Sequence, residues 1–178
     1  MSRPALVKQS FTFSIPPLAA HPPAPGAHVL EIRPLTVAAP FDSQSFLYRT
    51  GEYAYEHDPY AEFLVPPAES LGAALRGYLQ NTEGVSSLAG ESSPWKVDRL
   101  LEVYVSELYG DFRNRTAPAA VLRMSLTFRD GTGRVLLRKE YEERLPLKAR
   151  TAAALMAGWN EALTRIVARW SSELKQAG

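Results

Sequence analysis

His21, His28 and His57 are the only histidines in the chain, and their placement limits the chemistry open to it. None stands at a metal-ligand spacing. His21 and His28 flank a proline-rich stretch, where a solvated imidazole is the expectation. The sequence has no cysteine, which excludes disulfides, thiol nucleophiles and thiolate metal sites. A serine nucleophile on a G-x-S-x-G elbow is also absent, and Ser92-Ser93-Pro94 reads as loop. Glu142 and Glu143 adjoin on a predicted strand, so they point to opposite faces and form no acid–base pair. Glu56 and Asp58 read as solvated charge. Gly131-Thr132-Gly133 carries too few glycines for a phosphate cradle and reads as turn chemistry. The expectation is therefore no catalytic constellation, no cofactor and no metal.

Binding chemistry is better represented. Phe41, Phe46, Tyr48, Arg49, Tyr53, Tyr55, Tyr60 and Phe63 crowd into one short segment. Tyrosine and arginine are enriched at protein interfaces because each joins apolar area to a polar tip. The same residue types also build ordinary sheets. Both readings stay open, and these eight residues are the candidate interface. They are not interleaved with a basic patch, and the net charge is +1, so nucleic acid is not an expected partner.

The elements that must carry these residues follow from periodicity. Lys8 to Ser14 alternates, with Phe11 and Phe13 on one face. Val29 to Val37 reads as a strand with Leu30 and Ile32 inward and Pro34 limiting its pairing. Ser45–Thr50 and Glu52–Glu56 read as a hairpin or bulged strand around Gly51. A helix begins at Pro66-Pro67, with Leu71, Leu75, Tyr78 and Leu79 on one face and a stop near Asn81 to Gly84. A short strand follows at Val85 to Leu88. Val97 to Phe112 is a long β segment with Leu101, Val103 and Val105 on one face. Val121 to Arg129 and Val135 to Leu145 form a hairpin around Asp130-Gly131-Thr132-Gly133, whose two glycines are expected to take positive φ. From Thr151, an apolar stripe of Leu155, Trp159, Leu163, Ile166, Trp170 and Leu174 predicts a helix of about 25 residues that covers the sheet. Its length is about 40 Å. Glu161 and Arg165 form an i,i+4 pair in the favourable order.

Strands in adjacent groups with one helix between and one after predict an α/β (α+β) fold: a mixed, largely antiparallel sheet with two main helices packed on one face. A length of 178 residues, 46% hydrophobic and 22% charged, suits a single domain over 1–178 that needs no disulfide or metal. Eleven of the fourteen prolines precede residue 68, and Pro16 to Gly26 reads as an exposed loop within that domain. No run of about 18 apolar residues occurs. Met1-Ser2-Arg3-Pro4 has no apolar h-region and does not read as a signal peptide. Either a cytoplasmic protein or one whose leader precedes this sequence fits the composition.

Three stretches resemble the ABC-type transport auxiliary lipoproteins, the PqiC-like family. Leu30-Glu31-Ile32-Arg33-Pro34-Leu35, then Phe41-Asp42 and Phe46-Leu47-Tyr48-Arg49, are similar to that family's early strands. Tyr55, Tyr60 and Phe63 followed by Pro66-Pro67-Ala68-Glu69-Ser70-Leu71 and Leu75 are similar to its aromatic-then-proline entry into a helix. Arg129-Asp130-Gly131, Tyr141, Pro146 and the helix from Trp159 to Trp170 complete the pattern, placing the family domain at about 6–176. Two departures stand out: Phe63 where Trp is usual, and no lipidated Cys. The resemblance implies that Met1 replaces that Cys or lies beside it, and that the leader is outside this sequence. It implies a periplasmic lipoprotein held at the outer membrane by an N-terminal lipid anchor. Its implied partner is the MCE-domain protein of an ABC lipid transport system, and homo-oligomers are possible. The alternatives are a periplasmic carrier of lipid or another small ligand, which needs an apolar cavity of several hundred cubic ångströms, and an envelope scaffold for another machine.

Overall fold

A computed structural model describes residues 7–19, 22, 26–82, 85–90 and 96–177. His21 and residues 20 and 23–25 of the Pro16–Gly26 stretch lie outside the described residues. Among those described, nine strands form one sheet and two helices pack on it. The sheet is built around three long strands, β7 (Arg99–Asp111), β8 (Ala119–Asp130) and β9 (Val135–Pro146), paired antiparallel in chain order.

The other edge of β7 is shared. Its first residues pair in parallel with β2 (His28–Ile32), its middle with β3 (Thr36–Val37) and its end with β4 (Ser45–Arg49). Pro34 lies in the gap between β2 and β3, where a missing N–H interrupts the ladder. Beyond β4, β5 (Tyr55–Phe63) pairs antiparallel and then β1 (Gln9–Phe11) pairs parallel to β5; beyond β2 lies β6 (Val85–Ala89). The sheet is therefore mixed. Its long ladders are antiparallel, and the parallel ones are short.

One face is covered. Helix α2 (Ala152–Ala177) lies over β8 and β9, and α1 (Pro67–Leu79) packs at the β3 side. Leu71, Leu75, Tyr78 and Leu79 of α1 join Leu155, Trp159, Leu163, Ile166 and Trp170 of α2 in one buried cluster with Leu101, Val103, Val105, Leu122, Met124 and Leu126. The Thr151 hydroxyl caps α2 by accepting from Ala154 N–H at 3.2 Å. The Trp159 indole N–H donates to the Val121 carbonyl at 3.1 Å, so this buried ring leaves no orphan donor. The N-terminal segment is stapled to α1, because buried Ser70 Oγ accepts from Phe13 N–H at 2.9 Å.

The β8–β9 hairpin turns as the sequence predicts, but its glycines differ in role. Gly133 alone takes positive φ (+90°). Gly131 is needed for space, since a Cβ there would stand 2.9 Å from the Val97 carbonyl oxygen. Asp130 Oδ1 accepts from Thr132 N–H, the Thr132 hydroxyl and Arg134 N–H at 3.0, 2.6 and 3.0 Å. These donors, the Thr132 hydroxyl foremost, lower the Asp130 pKa to about 2.

Candidate partner-binding surface

Among the described residues the opposite face of the sheet carries no helix, and its chemistry follows from strand alternation. Glu102, Tyr104, Ser125, Thr127 and Arg138 point out from β7, β8 and β9 and line a shallow groove of about 470 Å³ with Arg33, Pro34 and Thr36. Cross-strand ion pairs tile much of the rest: Arg129 with Glu102 at 2.9 Å, and Arg123 with both Glu107 and Glu142. Glu142 and Glu143 do point to opposite faces. Glu142 serves this network, and Glu143 reaches Arg165 and Arg169 of α2.

Toward the β4–β5 end the open face turns apolar. Leu47, Tyr109 and Val121 form a second small cluster. Phe41, held in the 3₁₀ turn Ala39–Phe41, covers it by stacking on Tyr109 with ring centroids 5.7 Å apart. Tyr55 completes the group edge-on to Tyr109 at 5.6 Å and to Phe41 at 6.1 Å. The Arg49 guanidinium lies 5.7 Å from the Tyr55 ring centroid and donates to the Glu52 carbonyl at 2.7 Å. Burial pushes the Tyr109 phenol pKa up, against the lowering effect of its hydrogen bond with Arg49. Tyr53, at the turn between β4 and β5, projects 88% exposed, and Tyr55 beside it is 40% exposed.

The eight aromatic and arginine residues singled out in the sequence thus divide. Phe46 and Phe63 are core: their rings pack 4.8 Å apart and lie 4.9 and 5.5 Å from Trp159. Tyr48 faces the helices too, stacked on Phe112 at 4.6 Å, with its hydroxyl donating to Asp58 Oδ2. Burial first, and the Asp58 carboxylate second, push its pKa well above the usual phenol range. Phe41, Arg49, Tyr53 and Tyr55 come together at the tip. Tyr60 stands apart, half-exposed further along β5. Tyr109 belongs to the tip and is absent from the sequence-derived set. A register shift between Val105 and Glu107 puts Tyr104 and Tyr109 on the same face despite their odd spacing.

Among the described residues no acid–base constellation assembles around these groups. His57 Nδ1 lies 3.4 Å from the Ser43 hydroxyl on an exposed surface. His28 contacts Arg99 at 3.0 Å. Asp58 is occupied by Tyr48 and the N–H groups of Tyr60 and Ala61, and Glu56 by the Thr50 hydroxyl. Buried Asp111 accepts from Arg113 at 2.6 Å and Arg144 at 2.7 Å, and these guanidinium groups, Arg113 foremost, hold its carboxyl well below the usual range. No group of three or more metal-binding side chains occurs among the described residues. None of the described helices is long and apolar enough to cross a membrane.

The model of the ABC-type transport auxiliary lipoprotein component family matches residues 11–176. Comparison with curated proteins gave no match. Among solved structures, a Xanthomonas campestris protein of family-model DUF330 aligns with TM-score 0.78 at 18% identity, over 94% of this chain and 93% of that one. An uncharacterized protein aligns with TM-score 0.67 at 14% identity, over 92% and 99% of the two chains. A hypothetical protein from Chlamydia trachomatis aligns with TM-score 0.54 at 11% identity, over 82% and 96%. At these identities the likeness shows the fold.

Proposed function

The chain belongs to the ABC-type transport auxiliary lipoprotein component family, and on that premise we propose that it is a non-enzymatic docking subunit of an MCE-type lipid transport system. In this reading it sits in the periplasm, anchored by lipid to the outer membrane, and engages the MCE-domain protein through the β4–β5 tip. The observation that carries the docking assignment is Tyr53, standing 88% exposed beside Tyr55 and the Arg49 guanidinium. An aromatic held in water on a structured turn has apolar area to bury against a partner, and Tyr with Arg is the usual composition of an interface hot spot. Leu47, Val121, Tyr109 and Phe41 support the tip from below, so it is presented already ordered and little entropy is lost on docking.

Co-purification of the lipid-anchored chain with the MCE-domain protein of the same system tests this. Wild type is expected to retain the partner. Tyr53→Ala with Tyr55→Ala is expected to weaken the complex by about 2 kcal/mol or more, roughly thirtyfold in affinity. Wild type that fails to associate, or a double variant that associates as well as wild type, removes the assignment.

A further inference from the structure

The far end of β5 has exposed apolar side chains that the docking tip does not use. Leu64 is 62% exposed and Val65 37% exposed where β5 gives way to α1. Tyr60 is 48% exposed on the same strand, and Val7, just before β1, is 81% exposed. The register joins them into one edge. Gln9 stands beside Ala61 and Phe11 beside Phe63, which brings the entry of β1 next to Tyr60; the Leu64 N–H donates to the Phe11 carbonyl at 2.6 Å. From Tyr60 to Val65 the edge is about 15 Å long at roughly 3.3 Å per residue. Its polar members are Gln9, exposed on β1, Lys8 and Glu62, which form an ion pair, and Ser10, whose hydroxyl lies 3.5 Å from Glu62.

We infer that this β1–β5 edge, with Tyr60, Leu64 and Val65 foremost, rests on the lipid surface to which the protein is anchored. Three features favour lipid over a protein groove. Family membership makes the chain a lipoprotein, and acyl attachment to a lipoprotein is N-terminal, so the tether reaches the domain at β1 and nowhere else. Apolar side chains flanked by a tyrosine match the layering of a bilayer interface, with Leu and Val toward the acyl boundary and the phenol at head-group level. The Glu62 carboxylate is held by Lys8, so seating the edge brings no uncompensated anion to the membrane. An apolar edge adjoining the lipid anchor adds buried apolar area to membrane binding.

The assignment also sets an orientation. Along β5 from Tyr55 to Phe63 the domain spans about 26 Å. The lipid-facing edge takes up the Tyr60 half of that strand and the Tyr53–Tyr55 tip lies beyond its other end, about 16 Å along the strand from Tyr60. The inference rests on lipoprotein membership and not on the identity of the docking partner, so the two fail independently.

The chain contains no cysteine, so a single labelling site is easily placed. Leu64→Cys puts an environment-sensitive fluorophore on the proposed edge, and Glu52→Cys puts one at the tip, both at exposed positions. Each labelled chain is attached through its N-terminal lipid to vesicles of phosphatidylethanolamine and phosphatidylglycerol containing a lipid-borne quencher. The expected result is a blue shift at position 64 and severalfold more quenching there than at position 52. Equal quenching at both sites, or none at 64, overturns the inference. A blue shift at 64 that appears without vesicles, on concentrating the protein or adding a protein partner, also overturns it and makes the edge a protein interface. Circular dichroism matching wild type keeps the comparison free of unfolding.

Discussion

Gly158 seats α2 closely on the sheet, and replacing it with alanine tests the packing of the covered face. A Cβ built there stands 2.7 Å from the Ala120 Cβ of β8 and 2.8 Å from Leu147 Cδ2. Carbon atoms in comfortable contact are about 3.5–4.0 Å apart, so the added methyl overlaps both neighbours by close to 1 Å. Leu147 ends in a flexible side chain and can yield. Ala120 is fully buried with its Cβ fixed to the strand backbone, so α2 must lift. Such overpacking costs about 1–3 kcal/mol. Replacing a helical glycine returns about 1 kcal/mol of backbone entropy, which leaves a net loss of up to about 2 kcal/mol. Gly77 in α1 is the control: it is exposed and a Cβ there meets nothing within 4 Å, so Gly77→Ala is expected to stabilise by about 0.5–1 kcal/mol. Urea midpoints of the two variants should therefore move in opposite directions. Thermal midpoints should shift by about 2–4 °C per kcal/mol for a chain of this size. Adding Ala120→Gly to Gly158→Ala removes the opposing methyl and should recover part of the loss, a favourable coupling on the order of 1 kcal/mol. A Gly158→Ala variant that is stabilised like Gly77→Ala refutes the close seating of α2 on β8.

Three further outcomes follow from the same structure. The depressed carboxyl of Asp111 contributes stability that is complete above its unfolded pKa, near 4, and is lost as pH falls from there toward its folded value. Asp111→Asn should thus cost about 1–3 kcal/mol at pH 7, the lower half if the partly exposed Arg113 and Arg144 rehydrate, and should lose less than wild type between pH 4 and pH 2 in paired urea titrations. Trp159→Phe removes the donor to the Val121 carbonyl and part of the ring packed on Phe46 and Phe63, and is expected to destabilise by about 1–3 kcal/mol in urea without changing co-purification. Because large side chains such as Trp159, Trp170, Phe46 and Phe63 fill the layer between sheet and helices, native mass spectrometry should give the chain with its own anchor and no further lipid; a stoichiometric lipid adduct would favour the carrier alternative.

What the sequence discloses and what it hides divide along local and non-local order. The helices were legible because a 3.6-residue stripe is a property of one segment: Leu155 to Leu174 marks α2 whatever lies beneath it. The β8–β9 hairpin was equally legible, since antiparallel neighbours joined by a tight turn carry their pairing in consecutive residues. The sharing of β7 by β2, β3 and β4 was not. Parallel pairings join residues far apart in the chain, and no local period reports which strand lies beside which. Register was hidden for the same reason, so the shift at Val105–Glu107 that sends Tyr109 to the open face was not foreseen.

The β4–β5 tip shows how much turns on one such irregularity. Eight aromatic and arginine side chains look equivalent as a composition, and simple alternation cannot sort them. The predicted strand Glu52–Glu56 is in fact Tyr55–Phe63, a strand that runs through Asp58-Pro59. Proline brings no N–H to the ladder, and Asp58 Oδ1 accepts from the N–H groups of Tyr60 and Ala61 at 2.7 and 3.1 Å, a local turn inside a strand. The register with β4 shifts across this stretch, from Ser45 beside Glu62 to Leu47 beside His57. Tyr55 and Phe63 are eight residues apart, an even spacing that an unbroken strand would put on one face. With the shift, Tyr55 lies with Arg49 and Tyr109 on the open face and Phe63 lies against Trp159 under the helices. The irregularity at Asp58-Pro59 therefore lets one strand supply a core ring at one end and an exposed aromatic tip at the other. Pro59→Val would favour a regular ladder through this stretch, and the tip is expected to lose partner binding before the fold loses its core. Hydrogen exchange should then show stronger protection at residues 57–61 with Trp159 fluorescence unchanged, and wild-type co-purification from a chain so regularised would mean that the irregularity does not set the tip.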